Sequence, residues 1–378
     1  MYRQWYNYRQ SKTLDVGDTY REDLPKSGFL TAIWLYVQGA GVTDSMNALE
    51  KWRIVDYISN IKIIPTGGEP FVNLTGRCAK ALLEDKGYPS AMVQEFNYGS
   101  STKRMRIPIL FGRYPGDLEF GLDLGRWNNV EIQVANDAAA GQFASGFSVD
   151  IALDVWRDLP AGSPFRGFFR TEEYRKITTV ASKHDYVDLQ TVGKLRRLFL
   201  QVDPVVDSAE NAARSLYSTL SKVKMTFRDG SDDFIEANPR ELWDRAYMFG
   251  RNMTLTGAEP YHTSLEGIRT GLGQTIYKAS VALPQGMADA TPTIALEAGN
   301  DSSTQKILRT GTDNASMLLL GHGPENTFVI PFDHPSDTED MYLDLDQKKT
   351  VQLDLTTGAD ANDTAATYRV VTERLVTS

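Results

Sequence analysis

Residues 130–134 read VEIQV, and the alternation is strict: Val130, Ile132 and Val134 share one face, Glu131 and Gln133 the other. A period of two predicts a strand with one buried and one solvated face. VQLDL at 351–355 repeats it with Val351, Leu353 and Leu355. FLTAIWLYV (29–37), FSVDIALDVW (147–156), LRRLFLQV (195–202) and YRVVTERLV (368–376) are longer, more apolar strand candidates. NIKIIPTGGEPFV (60–72) and KVKMTFRDGSDDFI (222–235) each predict strand, glycine turn, strand. Two stretches break the pattern with helical spacing. In one, Asn238 is a natural N-cap, Pro239 takes the first helical position and Glu241 completes a capping box. Leu242, Ala246 and Phe249 then form one apolar stripe that Gly250 terminates. The other starts at Thr75 and stops at Gly87.

These elements come twice, in the same order. Tyr8, Arg9 and Thr13 return as Tyr174, Arg175 and Thr179, 166 positions on. Asp23, Leu24, Gly28, Leu30, Leu35 and Val37 return 165 positions on, from Asp188 to Val202. Ser59, Lys62 and Gly68 return at 162, and Phe71, Arg77 and Gly87 at 163. Ile107-Pro108 matches Ile330-Pro331 at 223. GLDLGRWNNVEIQVAND (121–137) answers YLDLDQKKTVQLDLTTG (342–358) at 221, and Val149 meets Val370 at the same offset. A collinear series of this length predicts an internal duplication. The step from 163 to 223 predicts 60 extra residues in the second copy, between Gly250 and Ile330. RDLPAGSPF (157–165) reads as the linker. The expected division is therefore 1–161 and 162–378, with an insertion at about 251–329. TIYKASVAL and ASMLLL predict strands inside that insertion, because structureless loops beyond ~15 residues are uncommon. The fold class is mainly β: two tandem β-sandwiches of about eight strands, each with one short helix.

Composition narrows the function. A chain of 378 residues exceeds the size at which one core stops growing, so two domains are the default. A net charge of −9 runs against wholesale nucleic-acid binding. The single cysteine, Cys78, excludes an intrachain disulfide framework and predicts a buried apolar thiol. MYRQWYNYRQSK has no apolar stretch behind its charges, so no secretory leader is expected, and no apolar run approaches the ~20 residues of a membrane span.

The tandem plan resembles the double jelly-roll major capsid proteins of the tectivirus–adenovirus lineage. The residues that carry the resemblance are the basic-aromatic N-terminal segment, the paired openings DLP-x-x-G-x-L at Asp23 and DLQ-x-x-G-x-L at Asp188, the turns at Gly68 and Gly230, and the closing LDL…V phrases. It covers roughly residues 8 to 378. It implies two eight-stranded jelly rolls, a homotrimer acting as a pseudo-hexagonal tile of an icosahedral shell, and synthesis in the host cytoplasm before residence in the virion. It implies no catalysis and no cofactor. The expected partners are further copies of the chain and other capsid or vertex proteins, with the insertion as an outer tower or a contact between subunits.

Residues 1–14 hold Arg3, Arg9 and Lys12 among Tyr2, Trp5, Tyr6 and Tyr8, with no acid before Asp15. Under the resemblance this is an inward-facing arm, with Arg3, Trp5, Tyr6, Arg9 and Lys12 as its candidate site residues. Three destinations fit it: an anionic internal membrane, a neighbouring subunit, or nucleic acid bound without sequence specificity.

Candidate chemistry is sparse. A metal-binding double sandwich needs a His-x-His pair in each half, and His184, His262, His322 and His334 supply none. There is no phosphate loop, nucleophile elbow or His-Glu-x-x-His. The acidic run from Asp333 to Asp346 could offer oxygen ligands to calcium but lacks an EF-hand's spacing; it is expected to be a solvated loop. No catalytic, cofactor or metal residue is assigned. Two alternatives stay open: a carbohydrate-binding or carbohydrate-processing double sandwich, with six Trp and 17 Tyr as stacking platforms, and a minor capsid or spike component.

Overall fold

VEIQV and VQLDL lie in strands that alternate buried and half-buried at every position, Val130–Asn136 and Val351–Thr357. The computed structural model describes residues 1–40, 54–86, 93–94, 102–138, 146–159, 165–178, 180–203, 220–227, 232–239, 241–242, 253–259, 268–270, 276–282, 296–298, 305–307, 315–321, 327–334, 336–348, 350–358 and 367–377. The first half holds β1 (Tyr2–Leu14), β2 (Thr19–Asp23), β3 (Phe29–Ala40), α1 (Ile54–Tyr57), β4 (Ile58–Pro65), β5 (Val72–Leu74), α2 (Gly76–Asp85), β6 (Val93–Gln94), β7 (Thr102–Leu110), β8 (Leu122–Asp123), β9 (Val130–Asn136) and β10 (Phe147–Arg157). The second opens with β11 (Gly167–Thr178), β12 (His184–Leu189), β13 (Lys194–Asp203), β14 (Leu220–Phe227) and β15 (Asp232–Ala237). Next come β16 (Met253–Glu259), β17 (Ile268–Thr270), β18 (Ile276–Ala282), β19 (Leu296–Ala298), β20 (Gln305–Ile307) and β21 (Ala315–Gly321). It closes with β22 (Thr327–Pro331), β23 (Leu343–Asp344), β24 (Val351–Thr357) and β25 (Thr367–Thr377).

Each half is two facing sheets. In the first they run β1-β10-β3-β7-β6 and β2-β9-β4-β5. In the second the matching orders are β11-β25-β13-β22 and β12-β24-β14-β15. One apolar core gathers Leu30, Leu35, Ile63, Ile107, Ile132 and Val149; the other gathers Leu195, Leu200, Met225, Ile330, Leu353 and Val370. The expected strands in TIYKASVAL and ASMLLL are β18 and β21, which pair with each other in a sheet completed by β16; β17, β20 and β19 form a second. The expected linker residues 160–164, and Gly87, Gly230, Ala246, Phe249 and Gly250, lie outside the described residues.

Strand register tests the duplication residue by residue. Leu30 pairs with Leu122 as Leu195 pairs with Leu343, and Lys62 pairs with Gln133 as Lys224 pairs with Asp354. Both copies carry a bulge at Tyr8 and Tyr174 and another at Ser59 and Ser221. Hydrogen bonds repeat too. The Tyr8 hydroxyl donates to Asp23 O at 2.7 Å, and the Tyr174 hydroxyl donates to Asp188 O at 2.7 Å. Leu124 N donates to Gly28 O, and Leu345 N to Gly193 O, each at 3.0 Å. The helix caps match: Cys78 N donates to Thr75 Oγ1, and Glu241 N to Asn238 Oδ1. The Glu241 carboxylate accepts from Asn238 N, which closes the predicted capping box. Gly28 and Gly193 sit at φ +106° and +75°, where a side chain would be strained, so the glycine of each opening phrase is needed by the backbone.

Two sequence pairings are corrected. Leu35 pairs with Ile107, and its counterpart Leu200 pairs with Phe328, so Ile107 corresponds to Phe328 and not to Ile330. Val37 pairs with Val149, and its counterpart Val202 pairs with Tyr368, so Val149 corresponds to Tyr368 and not to Val370. Both slips are two residues. A two-residue shift keeps every side chain on its own face, so alternation cannot detect it. The offset thus steps from 163 to 221, and the insertion is 58 residues instead of 60.

Candidate functional site

The best-built polar region is the seam where the two sandwiches meet. β5 runs parallel to β11, with Val72 opposite Thr171 and Asn73 opposite Glu172, and Thr171 N donates to Phe71 O at 2.9 Å. This short pairing fuses one sheet of each half into a continuous sheet. Beside it, Phe71 packs edge-on against Phe168 at 5.0 Å and Trp127 at 4.8 Å between ring centroids. A second aromatic group joins Phe120, Phe169 and Tyr342. Gly121 N and Phe169 N complete the seam by donating to Gly167 O and Phe111 O, each at 2.8 Å.

Charges fill the rest. Arg196, on β13, is wholly buried and lies between Glu373 at 2.5 Å and Asp337 at 2.6 Å, its guanidinium 4.8 Å above the Phe169 ring. Lys86, just past α2, reaches Glu373 from the other half at 2.6 Å. Arg197 binds Asp333 at 2.6 Å and also Asp85. Burial opposes ionisation of Glu373, but Lys86, Arg196 and Arg197 outweigh it and hold the carboxyl at about 2. Cys78 adds a neutral link, its thiol donating to Gln201 Oε1 at 2.9 Å while Gln201 donates to Thr327. The thiol is buried, as the sequence predicts.

Chemically this is a lock. A general acid or base needs a pKa near the working pH, and Glu373 lies far below it, saturated by cations. Half of the acidic run expected to be solvated is taken up here: Asp333 is buried against Arg197, Asp337 holds Arg196, and Glu339 holds Lys194 at 2.7 Å, while Asp340 and Asp346 are exposed. The sequence pattern showed the acids but not their arginines, which sit 136–141 residues away on β13. His184 is exposed beside Asp354 and Thr356, His334 is exposed, and His262 and His322 lie outside the described residues.

The arm residues are placed differently from a free arm. Residues 2–14 form β1, paired along its length with β10. Arg3 makes two hydrogen bonds to the buried Asp154, at 2.8 and 2.5 Å. Arg9 pairs with Glu22 at 2.7 Å and lies over the Tyr8 ring. Tyr6 is half-buried against the core and edge-on to Tyr8; Lys12 and Trp5 are exposed. The alternation of Gln4 and Tyr6 with Arg3 and Trp5 was the available strand signal, masked by the segment's polarity. Among the described residues no helix is long and apolar enough to cross a membrane.

The fold is shared with known structures. The major capsid protein of Sulfolobus Turreted Icosahedral Virus aligns over 99% of this chain and 97% of its own, with TM-score 0.58 and 10% identity. That of bacteriophage PM2 aligns over 99% and 98%, with TM-score 0.53 and 10% identity. The PBCV-1 capsid structure aligns over 99% and 93%, with TM-score 0.52 and 9% identity. The chain is a double jelly roll. No protein-family model and no curated protein matches its sequence. The buried charges just described are therefore the junction between its two rolls.

Proposed function

We propose that this double jelly roll is the major structural protein of a viral capsid, three copies forming a pseudo-hexameric tile of an icosahedral shell. The observation that carries the reading is end-to-end likeness: both rolls and their junction align together with a major capsid protein, with almost nothing left over in either chain. A shared sandwich alone would say little, since fold does not fix function. The solved structures it resembles are those of structural capsid proteins, which favours a non-catalytic role in the virion. In this reading the rolls are residues 1–161 and 162–378, the insertion carrying β16–β21 is an outer tower, and other capsid and vertex proteins are further partners. Native mass spectrometry of the purified chain tests it: a species of three times 42.2 kDa is expected, with hexagonal capsomers in electron micrographs. A strictly monomeric protein under all conditions would overturn it.

A further inference from the structure

Because the chain is duplicated, the residues at the seam have counterparts elsewhere, and several of those counterparts are exposed. At the seam, β5 of the first roll pairs with β11 of the second. The counterpart of β5 is β15, and that of β11 is β1. Among the described residues both end their sheets with no strand beyond them. They belong to opposite ends of the same chain's sheet system, so only another copy can bring them together.

The side chains follow the same rule. Phe71 and Phe168 cover each other at the seam and are 4% and 7% exposed; their counterparts, Phe234 and Tyr2, are 46% and 52% exposed. Thr171, opposite Val72, is 5% exposed; its counterpart Trp5 is 59% exposed. Phe120, bridged to Gly167, is 1% exposed; the counterparts Met341 and Met1 are 43% and 59% exposed. Among the described residues, half of the ten exposed large hydrophobics thus occupy places that the internal seam buries. Scattered exposed apolar residues need no explanation, but a set that maps onto one buried contact does.

We propose that β1 of one copy adds in parallel to β15 of the next, with Trp5 opposite Ile235, Tyr6 opposite Glu236, and Tyr2 seated on Phe234. Trp5 N donates to Phe234 O as Thr171 N does to Phe71 O. The contact is heterologous, one surface meeting a different one, and in the trimer read above three such contacts close a ring. It is a strand addition to an open edge, with side-chain pockets fixing the register. This assigns the N-terminal segment to a neighbouring copy in place of a lipid surface; Arg3 and Arg9 already face carboxylates. The inference rests on the self-assembly reading above and specifies its contact.

Cysteine cross-linking tests it, in a Cys78→Ser background that keeps a donor toward Gln201. Tyr2→Cys and Phe234→Cys, each alone, should stay uncoupled on mild oxidation, while their reassembled mixture should give a covalent dimer. The double variant should give covalent trimers. Self-coupling of either single variant would overturn the pairing, because it requires like surfaces to meet. Trimers or capsomers that form normally yet never cross-link would overturn the contact while leaving the capsid reading standing. A wild-type chain that never self-associates would overturn both. Trp5→Pro removes the outward N–H together with the exposed indole, and an edge strand tolerates proline at such a position. It should weaken association about tenfold or more with the monomer's circular dichroism unchanged; unaltered association would overturn the register.

Discussion

At the scale of single residues, Glu373 is the most constrained position. It is completely buried and compensated by Arg196 and Lys86 from different rolls. Glu373→Gln leaves those cations without their carboxylate, and we expect a loss of about 3–5 kcal/mol in denaturant unfolding. The acid response carries a matching signature. Glu373 titrates at about 2 in the folded chain, against about 4.3 unfolded. A depressed carboxyl contributes stability that is complete above the unfolded value and is lost as pH falls through the folded one. The stability difference between wild type and Glu373→Gln should be flat above pH ~5 and shrink between about 4.3 and 2. A difference that grew on acidification would contradict this assignment. Gly193 is constrained by its backbone: at φ +75°, with Leu375 O 2.9 Å from where a Cβ would stand, Gly193→Ala should cost more than the ~1 kcal/mol of an ordinary glycine exchange, read as a lower unfolding midpoint.

At the scale of elements, the two copies invite paired measurements. Tyr8→Phe and Tyr174→Phe each remove the hydroxyl bond across the same bulge, Tyr8→Phe also a longer one from Arg9 at 3.4 Å, and each should cost about 1 kcal/mol. Unequal costs would show that equal geometry conceals unequal packing. How far the sequence revealed these elements depends on what alternation can register. The strands, both caps and the order of the copies were legible because periodicity and capping residues are local signals. The Ile107 and Val149 registers were not, because a two-residue slip preserves the face. The seam was half legible. The turns GRW (125–127) and DQK (346–348) differ, with Trp127 against Gln347 or Lys348, and Trp127 packs on Phe71 while Lys348 lies over the Phe227 ring. The charge lock was invisible, because its acids and bases are joined only by the chain's return through β13, β22 and β25.

At the scale of the whole molecule, the first roll has no equivalent of the 58-residue insertion, so neither core needs β16–β21 to define its sheets. Replacing residues 251–325 by a short linker should leave a folded double roll, with near-wild-type far-ultraviolet circular dichroism and cooperative unfolding. Loss of cooperative unfolding would show that the insertion is part of a core. Trimer formation should survive the deletion if the copies meet through β1 and β15.

Asp154 and Glu373 occupy the same place in the two rolls, each opposite the corresponding residue of β3 or β13. The arginine reaches this acid from β1 in the first roll, as Arg3, and from β13 in the second, as Arg196. The counterpart of Arg196 is Thr31, and that of Arg3 is Phe169. In terms of descent, a buried acid left without its cation costs about 3–5 kcal/mol, so the least costly route from one arginine to the other runs through a roll that carries both.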